Sequence, residues 1–83
     1  MKITVRYFAS LREALGPGES LELPAGSTVD SLRDALVARG GRHAEVLAEG
    51  RAVRCALNQQ MCEGSTPLEA DAELAFFPPV TGG

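Results

Sequence analysis

Apolar and polar residues alternate at the start of the chain, and this pattern predicts a sheet strand. Ile3, Val5 and Tyr7 fall on one face of residues 2–8, separated by polar residues, which is the two-residue period of a half-buried strand. Shorter alternating or apolar runs recur further along. They predict strands at residues 20–23, 52–57, 61–62 and 73–77.

A second period, with apolar residues three and four positions apart, predicts the main helix. Val29 and Leu32 begin its apolar side, which faces a core. Ser27 stands three residues before Asp30, the spacing of an N-terminal capping box, so we expect the helix to begin there. The glycines at 40–41 are expected to end it.

Two shorter helical segments are also predicted. Residues 9–15 form the first, with Ser10 as the candidate N-cap and Gly16 just past its end. Residues 44–48 form a second helical turn, which Gly50 closes.

The order of these elements predicts an α+β fold. Two strands precede the main helix and the others follow it, and a helix of about three turns needs a sheet to cover its apolar side. A mixed sheet rolled around one main helix is the ubiquitin-like β-grasp arrangement. By analogy with that fold, the last strand is expected to lie in the centre of the sheet, parallel to the first.

Length and composition exclude several classes of protein. Eighty-three residues suffice for one domain with a small core. The net charge of −3 lacks the basic excess of a nucleic-acid-binding protein. No apolar run approaches the roughly 18 residues of a membrane span, and the N-terminus enters a strand directly without a signal peptide, so a cytoplasmic location is expected.

Three residues have reactive side chains, and we interpret each of them as structural and not as catalytic. His43, the only histidine, is expected to be a solvated residue between helices. Cys55 alternates with apolar neighbours and is expected to be a small buried side chain, and nothing in the sequence around Cys62 would activate its thiol. We therefore predict no metal site and no complete active site in this chain.

The functional prediction centres on the last eight residues. In order they are Phe76, Phe77, Pro78, Pro79, Val80, Thr81, Gly82 and Gly83. The prolines fix φ near −65° and lack an N–H group, so the last strand is expected to end before them. We predict a β-grasp domain at residues 1–77 and an extended tail at residues 78–83 that reaches on the order of 20 Å. The glycines lack a Cβ, so a partner's backbone or a nucleotide can approach the terminal carboxylate closely.

The reactive group of this tail is expected to be the carboxylate of Gly83. A carboxylate is a poor electrophile because its charge repels nucleophiles, so acyl chemistry requires activation, and adenylation by ATP in a partner enzyme is the biological route. The activated acyl group then either passes to a lysine, which gives a protein conjugate, or accepts sulfur, which gives a terminal thiocarboxylate.

These residues resemble a known family. The ending at residues 76–83 resembles that of the small, sulfur-carrying subunit of molybdopterin synthase, the MoaD type. Residues 7–13 are similar to the first strand and short helix of that family, and residues 57–59 are similar to its turn. Ala70 departs from the pattern, because a glycine is frequent there. The resemblance covers the whole chain, and the ending is its most specific motif.

The resemblance implies a mechanism and partners. Gly83 would be adenylated by a ubiquitin-activating-like adenylyltransferase, converted by a sulfur donor to a thiocarboxylate, and inserted into the large subunit of the synthase, in a heterotetramer. Its sulfur would attack a cyclic pyranopterin monophosphate, and two such transfers would build the dithiolene of molybdopterin that later binds molybdenum. The seven residues before Gly83 would contact partners, with one of Phe76 and Phe77 in the core.

The same resemblance assigns the chemistry to the partners. This chain would bind no cofactor itself, and the activating partner would use the ATP. It would act as the sulfur-donating subunit of a two-subunit sulfurtransferase and not as an enzyme alone.

Three alternatives remain open from the sequence. One is a sulfur carrier for thiamine or cysteine synthesis, which fits the fold and the two glycines but fits the Phe-Phe-Pro-Pro run less well. Another is a ubiquitin-like protein modifier, whose signature would be Gly83 joined to lysines of other proteins. The third is a plain binding domain, for which removal of Gly82 and Gly83 would have no effect.

Overall fold

The computed structural model describes residues 1–48 and 50–79. Within these residues the chain forms a five-stranded sheet and three helices. The elements in chain order are β1 (Lys2–Tyr7), α1 (Ala9–Leu15), β2 (Gly18–Glu22), α2 (Val29–Val37), α3 (Gly41–Leu47), β3 (Arg54–Leu57), β4 (Gln60–Met61) and β5 (Glu73–Phe77). Across the same residues, no helix has both the length and the apolar character needed to cross a membrane.

The sheet is mixed, with the strand order β2-β1-β5-β3-β4. The central strand, β5, runs parallel to β1 and antiparallel to β3. The two outer pairs, β1 with β2 and β3 with β4, are antiparallel. The predicted α+β β-grasp arrangement is confirmed, and so is the central position of the last strand beside the first.

The core lies between one face of this sheet and the helices. Alternate residues of β1 and β5 point into it, and Leu32 and Leu36 of α2 and Leu47 of α3 meet them with no exposed surface. Leu68, which lies in a loop, is also buried. The described part of the chain buries twelve apolar residues in this single cluster: Ile3, Val5, Tyr7, Leu11, Val29, Leu32, Leu36, Leu47, Leu68, Ala72, Leu74 and Phe76.

The main helix begins one residue later than its sequence signal suggested. The N-cap of α2 is Thr28 and not Ser27, and the capping box is closed by Ser31 and not by Asp30. The Thr28 hydroxyl accepts a hydrogen bond from the Ser31 N–H at 3.2 Å, and the Ser31 hydroxyl accepts one from the Thr28 N–H at 2.8 Å. Serine serves in place of the usual Glu or Gln because its short side chain still reaches the N-cap N–H. The Ser27 hydroxyl instead donates to the Pro24 carbonyl.

The helical segment after α2 is longer than predicted. Helix α2 ends at Val37, and Gly40 has a φ of 74°, a left-handed value that redirects the chain straight into α3 at Gly41. The Arg33 side chain holds the far end of α3. Its Nε donates to the Leu47 carbonyl at 2.6 Å, and its Nη2 donates to the Ala48 carbonyl at 3.0 Å. These bonds satisfy carbonyls that a helix end leaves without an intrahelical partner.

Smaller differences concern element ends. The N-cap of α1 is Phe8, with no side-chain capping bond, so the expected cap at Ser10 was wrong, whereas Gly16 does end this helix. The turn expected between β3 and β4 is confirmed. Asn58 and Gln59 form it with φ values of 49° and 70°, the left-handed pair typical of a two-residue hairpin turn.

Candidate functional site

The end of β5 is fixed before the tail begins. The Phe76 carbonyl accepts a hydrogen bond from the Phe8 N–H at 3.1 Å, one residue beyond the last pair of the β1–β5 ladder. The Phe76 ring is 1% exposed and stacks on Tyr7, with ring centroids 6.4 Å apart and an interplanar angle of 18°. The strand that leads to the tail is therefore held by both its backbone and its core side chain.

Phe77 points to the other side of the sheet. The expectation that one phenylalanine lies in the core and its neighbour outside is confirmed, with Phe76 inside and Phe77 half-buried outside. Phe77 lies opposite Arg54 of β3. The next residue pair on this side is Ala75 with Ala56.

We call this side the open sheet face, and it carries an apolar stripe that ends at the tail. Five residues form the stripe: Phe8, Ala56, Met61, Ala75 and Phe77. Met61 lies opposite Ala56, and the Arg6 guanidinium stands 5.8 Å from the Phe8 ring centroid, which places Phe8 on the same side as Arg6. The only large apolar side chains that the described residues expose are Phe8, at 40%, and Met61, at 60%, and both belong to this stripe. Exposed apolar patches are a common means by which proteins bind partners.

The sequence contained a signal for this stripe that the prediction did not use. Phe8 continues the outward-facing alternation of Thr4 and Arg6, so its exposure followed from the strand period. Met61 and Ala56 were harder to place, because their meeting depends on the register of the β3–β4 hairpin.

The root of the predicted tail is described only as far as Pro79. Pro78 and Pro79 are half-buried, and Pro78 lines a surface cleft of about 330 Å³ together with Leu11, Val46 and Val53. The predictions made for Val80, Thr81, Gly82 and Gly83 fall outside the described residues. They remain predictions, as does the division of the chain at residue 77.

His43 is not the solvated residue that the sequence suggested. It lies in α3, and its Nε2 is 2.9 Å from Oε2 of Glu19. The Tyr7 hydroxyl donates to the same oxygen at 2.7 Å, and the Arg39 guanidinium bonds to the other carboxylate oxygen. Because Glu19 pairs with the inward-facing Val5, its carboxylate lies on the helix side of the sheet. We call these four residues the Glu19 cluster, which joins β1, β2, α3 and the segment after α2.

The pKa values of two residues in the Glu19 cluster, Glu19 and Tyr7, are strongly shifted. Burial alone would raise the pKa of Glu19, but hydrogen bonds from Arg39, His43 and Tyr7 outweigh that effect and lower the pKa to about 2. Burial, together with the bond to Glu19, raises the pKa of Tyr7 above its usual value. Glu19 is thus ionised and Tyr7 neutral near pH 7, which suits a structural connection between elements.

The described residues contain no cluster of metal-binding side chains. Among residues 1–48 and 50–79, no set of three or more His, Cys, Asp or Glu side chains is placed to hold a metal ion. Cys55 and Cys62 are both half-buried free thiols, so Cys55 is less enclosed than its alternation suggested.

Known proteins resemble this chain in sequence over nearly its full length. Residues 5–83 match the model of the ThiS family. The chain belongs to the ThiS family. Among its curated relatives is the molybdopterin synthase sulfur carrier subunit of Escherichia coli K12, which is 38% identical over 98% of this chain and 99% of its own length. The protein of the same name from Haemophilus influenzae is 33% identical, over 98% of this chain and 99% of its own length.

Solved structures agree with the fold. SAMP1 of Haloferax volcanii, a small archaeal modifier protein, superposes with a TM-score of 0.82 at 26% identity, and the match covers all of both chains. A chain from the complex of subunits 1 and 2 of the Helicobacter pylori molybdopterin-converting factor has a TM-score of 0.71 at 24% identity, again over both full chains. The latter likeness shows the fold alone.

The two adjacent phenylalanines should differ sharply in their effect on stability. Phe76→Ala removes a buried ring and should lower the free energy of unfolding by about 3–5 kcal/mol. Phe77→Ala removes a half-buried ring and should cost roughly 1 kcal/mol. Urea unfolding followed by circular dichroism measures both, with Phe8→Ala as the control for loss of an exposed ring. Equal losses for Phe76→Ala and Phe77→Ala would contradict the assignment of faces.

The Glu19 cluster predicts a loss of stability in acid. Because the pKa of Glu19 is about 2 in the folded protein against 4.5 ordinarily, its stabilisation is complete above pH 4.5 and declines as the pH falls toward 2. The free energy of unfolding should therefore fall less steeply between pH 5 and pH 3 in Glu19→Gln than in the unsubstituted protein. The control is Glu22→Gln, whose carboxylate is 79% exposed on the same strand. An unchanged pH slope in Glu19→Gln would refute this assignment.

Proposed function

We propose that this protein is the sulfur carrier subunit of a molybdopterin synthase and that Gly83 carries the sulfur as a thiocarboxylate. The observation that carries the proposal is the link between the tail and the apolar stripe. Both begin at the end of β5, where Phe76 is locked in the core and Phe77 lies on the open sheet face. The names of the curated relatives support the same function.

The chemistry proceeds in two activating steps that a partner performs. An oxygen of the Gly83 carboxylate attacks the α-phosphorus of ATP and releases pyrophosphate, which leaves an acyl adenylate. Hydrosulfide from a sulfur donor then displaces AMP, so the terminal carbon keeps one oxygen and one sulfur. An adenylyltransferase supplies the ATP site, and the described residues of this chain contribute the surface that positions the tail.

The sulfur is then delivered inside the large synthase subunit. The thiocarboxylate sulfur attacks a cyclic pyranopterin monophosphate, and water releases the product and restores the Gly83 carboxylate. Two such deliveries supply both sulfurs of the dithiolene. The absence of a Cβ at Gly82 and Gly83 suits a narrow channel, since a bulkier residue would need more space beside the backbone.

The open sheet face is the surface that both partners would contact. Its stripe is apolar in the middle, while Arg6 and Arg54 flank it with positive charge. Arg6 forms only a weak ion pair with Glu73, because the contact is 3.8 Å long and both side chains are more than 40% exposed. A partner with an apolar patch bordered by carboxylates would complement this face. The curated relatives are named as subunits of a molybdopterin synthase, which supports a second subunit as the partner.

A protein modifier is the second candidate function. The likeness to SAMP1, a small archaeal modifier protein, favours it, because the same acyl adenylate can pass to a lysine in place of sulfur. Conjugates would carry an isopeptide bond between Gly83 and a lysine of another protein. They are detected by fragmentation of proteins that are enriched with a tag on the N-terminus of this chain.

The intact mass of the protein tests the carrier chemistry. After incubation with ATP, the adenylyltransferase and a sulfide source, the mass should rise by the difference between sulfur and oxygen, and fragmentation should place the change on Gly83. Two matched variants serve as controls: a chain with one alanine added after Gly83, and a chain that lacks Gly83. Both should fold normally and remain unmodified. A protein that stays a plain carboxylate under these conditions, or that gains sulfur elsewhere, would refute the proposal.

The apolar stripe should determine the affinity for the large subunit. Phe8→Asp places a charge in the stripe at an N-cap position, where Asp is favourable for α1, so the fold should be retained. Its Kd for the large subunit should rise about tenfold or more, since buried aromatic residues dominate interfaces. Ser20→Asp, which adds the same charge on β2 at a distance from the stripe, is the control. Because Ser20 pairs with Thr4 on the same side of the sheet, equal Kd values for the two variants, measured by calorimetry, would rule out the apolar stripe as the determinant of affinity.

A further inference from the structure

Two thiols meet across the β3–β4 hairpin. Because Ala56 lies opposite Met61, the preceding residue Cys55 lies opposite the following residue Cys62. The Cys62 N–H donates to the Cys55 carbonyl at 3.2 Å, and the two Sγ atoms are 3.3 Å apart. A disulfide bond is about 2.05 Å long, so a small movement of two side chains closes it without a change of backbone register.

The pair is accessible from one side. Both side chains alternate with residues of the open sheet face, and they therefore lie on its opposite side, near α2. There they line a surface cleft of about 370 Å³ with Asp30 and Arg33. Neither cysteine takes part in the proposed sulfur delivery from Gly83.

We propose that Cys55 and Cys62 form a reversible dithiol–disulfide pair, a modification site that reacts with small disulfides such as oxidised glutathione. The cleft admits the small disulfide, and the short distance between the sulfurs makes the second step intramolecular. Oxidation joins β3 to the edge strand β4 covalently, while Met61 of the apolar stripe remains free on the other side of the sheet.

The two cysteines have different roles in this exchange. Burial raises the pKa of Cys55 to about 12, and the hydrogen bond with Cys62 adds to the rise, so Cys55 stays a protonated thiol near pH 7. The Cys62 sulfur attacks glutathione disulfide first, forms a mixed disulfide and releases one glutathione, which takes up the proton that Cys62 gives up. The Cys55 sulfur then attacks the Cys62 sulfur and expels the second glutathione, which takes up the proton of Cys55. In total, two protein thiols and one glutathione disulfide give one protein disulfide and two glutathione thiols.

The test uses the full chain and glutathione disulfide at pH 8, with acid quenching, denaturation and alkylation by iodoacetamide before mass spectrometry. We expect a product that has lost the mass of two hydrogens, carries no alkyl group, and returns to two alkylated thiols after dithiothreitol. A protein that keeps two alkylatable thiols, or that accumulates glutathione adducts without losing the two hydrogens, would overturn the proposal.

Single variants separate the roles of the two thiols. Cys55→Ser should stop at a stable glutathione adduct on Cys62, whereas Cys62→Ser should react roughly tenfold or more slowly, because the remaining thiol is hardly ionised. The matched control is Cys62→Ser combined with Met61→Cys, which keeps two thiols but places them on opposite faces of the sheet. This control should form no intramolecular disulfide. Closure at an equal rate in the control would show that proximity in the folded hairpin is not the cause.

Discussion

The structure depends on the insertion of β5 between β1 and β3. These three strands are far apart in the sequence, yet their pairing supplies the centre of the sheet and one wall of the core. The parallel β1–β5 pair brings Tyr7 beside Phe76, and their rings stack below the sheet. Above it, the same pairing sets Phe8 near Phe77 and so creates one end of the apolar stripe. A single strand thus organises the core, the exposed face and the start of the tail.

This arrangement is consistent with the proposed function, in which the chain acts together with partner enzymes. The described residues provide position and recognition: a fixed strand end, an apolar face and flanking arginines. In the proposed function, the reaction takes place at the Gly83 carboxylate, and partners supply the energy and the acid–base groups. Membership in the ThiS family and the names of the curated relatives agree with this division of work.

Local patterns in the sequence were sufficient for much of the fold. The alternation of Ile3, Val5 and Tyr7 gave the first strand, and the prolines after Phe77 gave the end of the last one, because both signals act within a few residues. The sequence also required one of two adjacent phenylalanines to be buried. It did not determine which one, since that depends on the register of β5 against its two neighbours.

The contacts that escaped prediction join residues distant in the chain. Glu19 meets Arg39 and His43 across 20 and 24 positions, and no period in the sequence reports such a meeting. A buried tyrosine usually has a partner for its hydroxyl, so Tyr7 offered a hint that some polar group was near, without naming it. The far end of α3 is likewise held by Arg33, which binds carbonyls 14 and 15 residues away.

The central place of β5 also has a consequence for how the molecule is made. During synthesis β1 and β3 are made before residues 73–77, so neither can pair with its central partner until nearly all of the described chain has been made. Folding must then proceed through contacts of large sequence separation, which tends to be slow. An interrupted chain would lack the sheet centre, the stacked rings and the finished face together. Under the proposed function, activation would therefore be restricted to chains that already contain the last strand.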